Sequence, residues 1–394
     1  MHRQKNLSTK AMIGFITFMN MYPPLSTDMY LPALPEIGKY FNTSEFLVGL
    51  TLTIFFLVFA VSMVLCGPLS DKYGRRPILI FGTVTYSIAS LACVLSPNIY
   101  VLLVGRFFQG FGAGAVITVS TALIKDCFRG KVMTRILVIT QALGVIGPMA
   151  APLVGGFLLR FTDWHGAFWT LTCLGIINLT LALLLTETLP KEKRFQGNVF
   201  SSLTLLASFA KQKNFMMTLI MFAFLSLPFM AYLSVSSFVY IENFKLSAQE
   251  YSYFFAANAS ISILGPMLYL RLKKSLSPTK ILQLCFAISL TSGLLVLFPG
   301  HFGAFAFLFS FLPFTAIGAL ARPFGMEILL NKAKENVGTA SSIINFVPNL
   351  FGSIGMALGT LPWGDFINGL GIIILCSTLL SITIYKTAVN MTND

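Results

Sequence analysis

Charge and histidine are both scarce in this chain, and each scarcity excludes something. Of its 394 residues, 10% are charged and 56% are hydrophobic. A soluble domain carries roughly 25% charged residues. So few charges cannot cover a water-soluble fold, and a mean hydropathy of +0.80 points the same way, to a membrane protein. The three histidines, His2, His165 and His301, stand far apart in the N-terminal tail and in loops. They build neither a catalytic cluster nor a metal site. The six cysteines (Cys66, Cys93, Cys127, Cys173, Cys285 and Cys376) form no CxxC pair. Most lie in or beside apolar segments and read as small buried hydrophobes rather than ligands or disulfide partners. Neither a nucleophile elbow nor a GxxxxGK[ST] phosphate loop occurs, which argues against an enzyme and against a nucleotide-driven pump. No metal and no cofactor is expected.

What the chain has in abundance is apolar runs. A helix needs roughly 20 residues to cross the hydrocarbon. Twelve such spans can be drawn, near 11–33, 46–66, 77–96, 99–123, 133–158, 166–186, 215–237, 250–271, 280–299, 302–330, 338–361 and 365–386. The basic N-terminus is like a signal n-region. The run after it is too long, and too polar at Asp28, for a cleaved signal, and no small-residue cleavage site is evident, so it reads as a retained first helix.

The formal net charge of +13 sits in short loops. With both termini in the cytoplasm, Arg3, Lys5, Lys10, Lys72, Arg75, Arg76, Lys125, Arg129, Lys131, Lys191, Lys193, Arg194, Lys273, Lys274 and Lys280 all fall on the inner side. The outer loops hold Lys39, Arg160 and Lys245. This positive-inside pattern places basic residues against anionic lipid, and nucleic acid is not needed as a partner.

The longest polar interruption, 187–214, divides the chain into an N-terminal six-helix bundle (1–186) and a C-terminal one (215–394). The halves echo each other. "GPLSDKYGRRPIL" after span 2 has a degraded counterpart, "GPMLYLRLKKSLSPTKIL", after span 8, and Pro148 and Pro348 stand 200 residues apart. Parallel six-helix repeats around a midplane cavity are a transporter architecture.

Four stretches carry the chemistry. In "GPLSDKYGRR", Gly67 and Pro68 are expected to end span 2. Asp71 can cap a helix start, Gly74 permits a tight turn, and Arg75 and Arg76 can meet lipid headgroups or a facing helix end. "LVGRFFQGFGAG" puts Arg106 in span 4, about eight residues, or about 12 Å, from its outer end. A charge there either snorkels or faces a cavity with a partner, and Gln109 shares its helix face. "GVIGPMAAPLVGG" sets Pro148 and Pro152 among Gly144, Gly147, Gly155 and Gly156, a pattern for a kinked, tightly packed span 5. "NMYPPLSTDMYLPALP" holds the acid Asp28 among Pro23, Pro24, Pro32 and Pro35, about 9 Å from the outer end of span 1 and so near the depth of Arg106. Asp28 is either a helix-cap carboxylate or an acid facing a cavity. Loss of water and a nearby arginine act on such an acid in opposite senses.

These stretches resemble the major facilitator superfamily. The first resembles its signature loop between helices 2 and 3, which latches the two halves in one conformation. The second resembles its span-4 motif, whose arginine is linked to proton coupling, and the third resembles the antiporter motif of drug–proton exchangers. With "STDMYLPALP" and "SSFVYIENFKLSAQEYSYFFAANA" the chain looks like the Bcr/CflA branch. The resemblance implies two pseudo-symmetric bundles around a central cavity and proton-coupled drug efflux across a bacterial cytoplasmic membrane. It implies a monomer powered by the proton gradient, with Asp28 and Arg106 in coupling. Asn20, Tyr30, Gln109, Tyr232, Asn258 and Asn345, with Asp28, are the expected substrate contacts. A specific metabolite or sugar as cargo, or facilitated or inward transport, are the alternatives. Relatives carry a second acid near Asn20, which this chain lacks. Arg322 and Glu327 in span 10 read as a structural pair, a snorkelling arginine or gating residues.

Overall fold

The computed structural model describes residues 8–196, 212–332 and 337–393. The tail with His2, Arg3 and Lys5 lies outside the described residues, as does 197–211, most of the expected linker. Among the described residues the protein is all helical and contains no strand. Among the described residues, ten helices are long and apolar enough to cross a membrane. The other two expected spans fall on a broken helix at 9–40 and on a 29-residue helix containing the short apolar stretch Ile146–Leu158. It is a multi-pass membrane protein.

In the first half, α1 (Thr9–Asn20), α2 (Tyr22–Thr27) and α3 (Leu34–Tyr40) make up the broken first span. Then come α4 (Glu45–Tyr73), α5 (Arg75–Val94), α6 (Ile99–Cys127), α7 (Gly130–Leu158) and α8 (His165–Leu184). In the second half are α9 (Lys213–Ser237), α10 (Ala248–Ile261), α11 (Leu264–Leu272), α12 (Pro278–Leu297), α13 (Ala304–Lys332), α14 (Val337–Gly359) and α15 (Phe366–Asn393). Helix starts follow local chemistry. Ser8 and Asn98 accept from the N–H groups of Ala11 and Val101, and Ser247 with Glu250 forms a capping box. A 29-residue helix is about 43 Å long, enough to cross a hydrocarbon core of about 30 Å with a turn to spare at each end.

Two expectations change. The first span is not one helix. Each of its later segments begins with proline in its first turn, where the missing N–H costs nothing. The chain therefore restarts at Tyr22, at Leu31 and at Leu34. Span 2 does not end at Gly67 and Pro68. Helix α4 runs through Pro68 to Tyr73, because one lost hydrogen bond is tolerated inside a membrane helix. The turn falls at Gly74, whose φ of 107° only glycine adopts freely.

The residues form two units, Met1–Thr43 with Ile54–Ser202, and Ser44–Thr53 with Leu203–Asp394. In the first, Met12, Phe15, Ile16 and Met19 of α1 pack with Leu79, Val116, Val119, Leu123, Ile136 and Ala182. In the second, Met221 and Leu225 of α9 pack with Tyr269, Cys285, Phe286, Leu320 and Phe324. Large apolar side chains such as Ile88, Phe108, Phe157, Phe305 and Phe309 are exposed. A surface of this kind fits lipid. All six cysteines are free.

Candidate functional site

The site of the first unit is built where the first span breaks. Asp28 is the C-cap of α2 and is 3% exposed. A carboxylate at a helix C-terminus gains nothing from the macrodipole, so capping does not explain it. Thr27 donates from Oγ1 to Asp28 Oδ1 at 2.9 Å and to the Pro23 carbonyl at 2.8 Å. No ion pair reaches Asp28 among the described residues, and a buried carboxylate in that position is costly to hold as a charge.

Arg106 of α6 is fully buried and reaches the same turn from the other side. One Nη donates to the carbonyl of Ser26, two residues before the acid, at 2.9 Å. It also donates to Gln109 Oε1, whose amide donates to Ser90 Oγ at 2.8 Å. Ser26 Oγ lies 2.6 Å from the Tyr86 hydroxyl. The guanidinium sits over three rings, Phe55 at 4.3 Å, Tyr30 at 5.1 Å and Phe168 at 5.9 Å. An arginine desolvated this way is held by ring faces as well as by hydrogen bonds. Asp28 and Arg106 thus meet at one turn of chain, joined through the Ser26 carbonyl and the Ser26–Asp28 backbone. Asn20, one helix earlier, donates to Ser120 Oγ and to the Ile16 carbonyl, both at 2.8 Å.

Span 5 clamps this break. A Cβ at Gly147 would stand 2.7 Å from Pro24, and one at Gly155 would collide with the Met29 carbonyl. The glycines bring the α7 backbone against the residues on either side of Asp28. Pro148 and Pro152 lie inside α7, and Gly144 and Gly156 belong to the same helix.

The loop at Gly74 is tied by charge. Arg75 pairs with Asp71 at 2.6 Å and with Asp126 of α6 at 3.0 Å. Glu187, not Asp71, caps α5. Its carboxylate accepts from the N–H groups of Arg75 and Arg76 at 3.0 and 3.2 Å. Arg76 donates to the Leu183 carbonyl at the end of α8, the facing helix end, and the Asp71 carbonyl accepts from the N–H of Phe195. Gly67 accepts from Ser70.

In the second unit, Asn258 is buried and accepts from Thr315 at 2.8 Å. Tyr232 is buried in a ring stack with Phe311 at 4.1 Å. Neither faces open space. Asn345 is exposed and donates to the Ser341 carbonyl of its own helix. Glu327 accepts from Tyr269 and pairs with Lys273.

The sequence reading missed Ser26, Phe55, Tyr86, Ser90, Phe168, Asp126 and Glu187. The two acids stand at span ends, where charge is ordinary. The rings are lost among 38 phenylalanines.

The family model of the Major Facilitator Superfamily matches residues 13–382. An uncharacterized MFS-type transporter of Bacillus subtilis (strain 168), YdgK, is 31% identical over 356 residues, 89% of this chain and 88% of that protein. The bicyclomycin resistance protein homolog of Haemophilus influenzae is 27% identical over 359 residues, 90% of this chain and 89% of that protein. The crystal structure of the nucleoside transporter NupG matches with a TM-score of 0.74 at 13% identity, over 98% of this chain and all of that one. At that identity the likeness is one of fold.

Proposed function

The chain belongs to the Major Facilitator Superfamily, and from that premise we propose that it expels drugs or other small, largely apolar molecules by alternating access. Proton uptake from outside drives each cycle. Its place is a bacterial cytoplasmic membrane, with both termini in the cytoplasm. It works as a monomer of two six-helix bundles, 1–186 and 215–394, joined by 187–214.

The observation that carries this reading is Asp28. A lone acid is buried at a break in the first span, and the turn that holds it is gripped by Arg106 from α6 and by glycines from α7. A carboxylate that is dry in one conformation and wet in another takes up a proton on one side and releases it on the other. The name of the bicyclomycin resistance relative supports a drug as cargo.

One charge crossing 100 mV is worth about 2.3 kcal/mol, and one pH unit about 1.4 kcal/mol. One proton per cycle therefore sustains a substrate gradient of roughly 500-fold.

The test is a resistance panel in an efflux-deficient host, followed by uptake of the active compound into inverted membrane vesicles. Wild-type protein confers resistance and gradient-dependent uptake, and Asp28→Asn confers neither. Full uptake by Asp28→Asn removes Asp28 from the mechanism.

A further inference from the structure

The second unit holds an ionic feature that the coupling site does not use. Helix α13 carries Arg322 ten residues before its last residue, Lys332. Successive residues turn about 100° around a helix, so Arg322 and Glu327 point about 140° apart. Glu327 is engaged by Lys273 and Tyr269. Arg322 is exposed, and among the described residues no hydrogen bond or ion pair is made to it.

The face on which Arg322 lies can be read from its neighbours. The lipid side of α13 is marked by Phe305 and Phe309, 67% and 64% exposed. Arg322 is turned from them by about 100° and 140°. It falls between Thr315, which is bonded to Asn258 of α10, and Gly325, which packs on Phe222 of α9. One turn earlier, nothing stands within 4 Å of where a Cβ of Gly318 would be. A snorkelling arginine shares the face of the lipid-exposed side chains, and Arg322 is turned from Phe305 and Phe309. It lies on the face of α13 that carries Thr315 and Gly325, the face that meets α10 and α9.

An exposed arginine that no carboxylate pairs with among the described residues is a site for a planar anion. Its fork of N–H donors matches a carboxylate, sulfonate or phosphate. We infer that Arg322 is an anion-accepting subsite on the Thr315–Gly325 face of α13 in the second unit, and that the cargo includes compounds bearing an acidic group on an apolar body. This inference rests on the efflux reading and narrows its substrate class.

The test reads occupancy of Arg322 directly. Purified protein in phosphatidylcholine nanodiscs is treated with phenylglyoxal, which modifies accessible arginines, and adducts are quantified by peptide mass spectrometry. Two anionic probes, 1-naphthoate and naphthalene-1-sulfonate, are compared with the uncharged 1-naphthalenemethanol. At least one anion is expected to slow modification of Arg322 by about tenfold, the worth of one charge-assisted hydrogen bond. The alcohol is expected to have no effect, and Arg271 should react alike throughout. In titrations of the same probe, Arg322→Gln is expected to bind about tenfold more weakly and Arg322→Lys to fall between.

Protection by neither anion, or equal protection by the alcohol, overturns the assignment. So does protection that appears only when phosphatidylglycerol replaces phosphatidylcholine, because the site then belongs to a lipid headgroup. No proton gradient enters the assay, so its failure leaves the Asp28 account standing, and the failure of that account leaves this result unchanged.

Discussion

Arg106 shows what a single residue does in a dry interior. Its charge is spread over a backbone carbonyl, an amide and three ring faces. A lysine keeps the charge and loses both the planar fork and the ring stacking. Arg106→Lys should therefore cut efflux at least about tenfold and lower the thermal midpoint of the purified protein. An unchanged midpoint would mean that the rings contribute nothing. Glu187 invites a milder test. Glu187→Gln keeps the shape and weakens two charge-assisted bonds to the start of α5. Its expected cost is about 1 kcal/mol, read in the same thermal assay. Asp28, Arg106 and Gln109 were legible in the sequence because each is a rare polar group within an apolar run. Ser26, Tyr86 and Phe55 were not, because serine and aromatic residues are everywhere in this chain and only packing selects among them.

At the scale of elements, the glycines of α7 matter through close approach. Gly155→Ala forces the α7 backbone away from the Met29 carbonyl. It should destabilise by about 1–3 kcal/mol and reduce efflux with it. Gly14→Ala on α1 meets nothing within 4 Å and should be neutral, or stabilising by up to about 1 kcal/mol. The two variants together, measured by thermal midpoint and efflux, separate packing from a general dislike of alanine. The prolines around Asp28 stood out in the sequence as a cluster within span 1. They did not announce three restarts, since a proline fixes where a helix can begin and leaves open whether the chain continues straight past it. Pro68 misled in the other direction, because the same residue type lies inside α4.

For the whole molecule, the repeat seen in the sequence reappears in the packing of each unit. Gly155 lies against the Met29 carbonyl, and Gly355, 200 residues on, lies against the Leu227 carbonyl. Asp126 pairs with Arg75 in the first unit, and Glu327 pairs with Lys273 in the second. The copies have diverged in exposure: the side chain of Asp126 is 19% exposed and that of Glu327 is 40%. Asp126→Asn should accordingly cost more stability than Glu327→Gln, which should stay within about 1 kcal/mol. The position matching Asp28 at an offset of 200 is Pro228. Asp28 therefore has no acidic counterpart, and the proposed division of labour follows: proton chemistry in the first unit, and an anion-accepting arginine in the second. The broad plan was legible because span length and loop charge are dictated by the bilayer. The division was not, because the surroundings of Arg322 depend on how α9, α10 and α13 pack.

The most direct test of the central claim is made in proteoliposomes loaded with a pH-sensitive dye and an active compound. Wild-type protein should move protons when the compound gradient is imposed, and should also exchange labelled for unlabelled compound at equilibrium. Asp28→Asn should keep that exchange and lose the proton signal. A proton signal of wild-type size in Asp28→Asn would contradict the account.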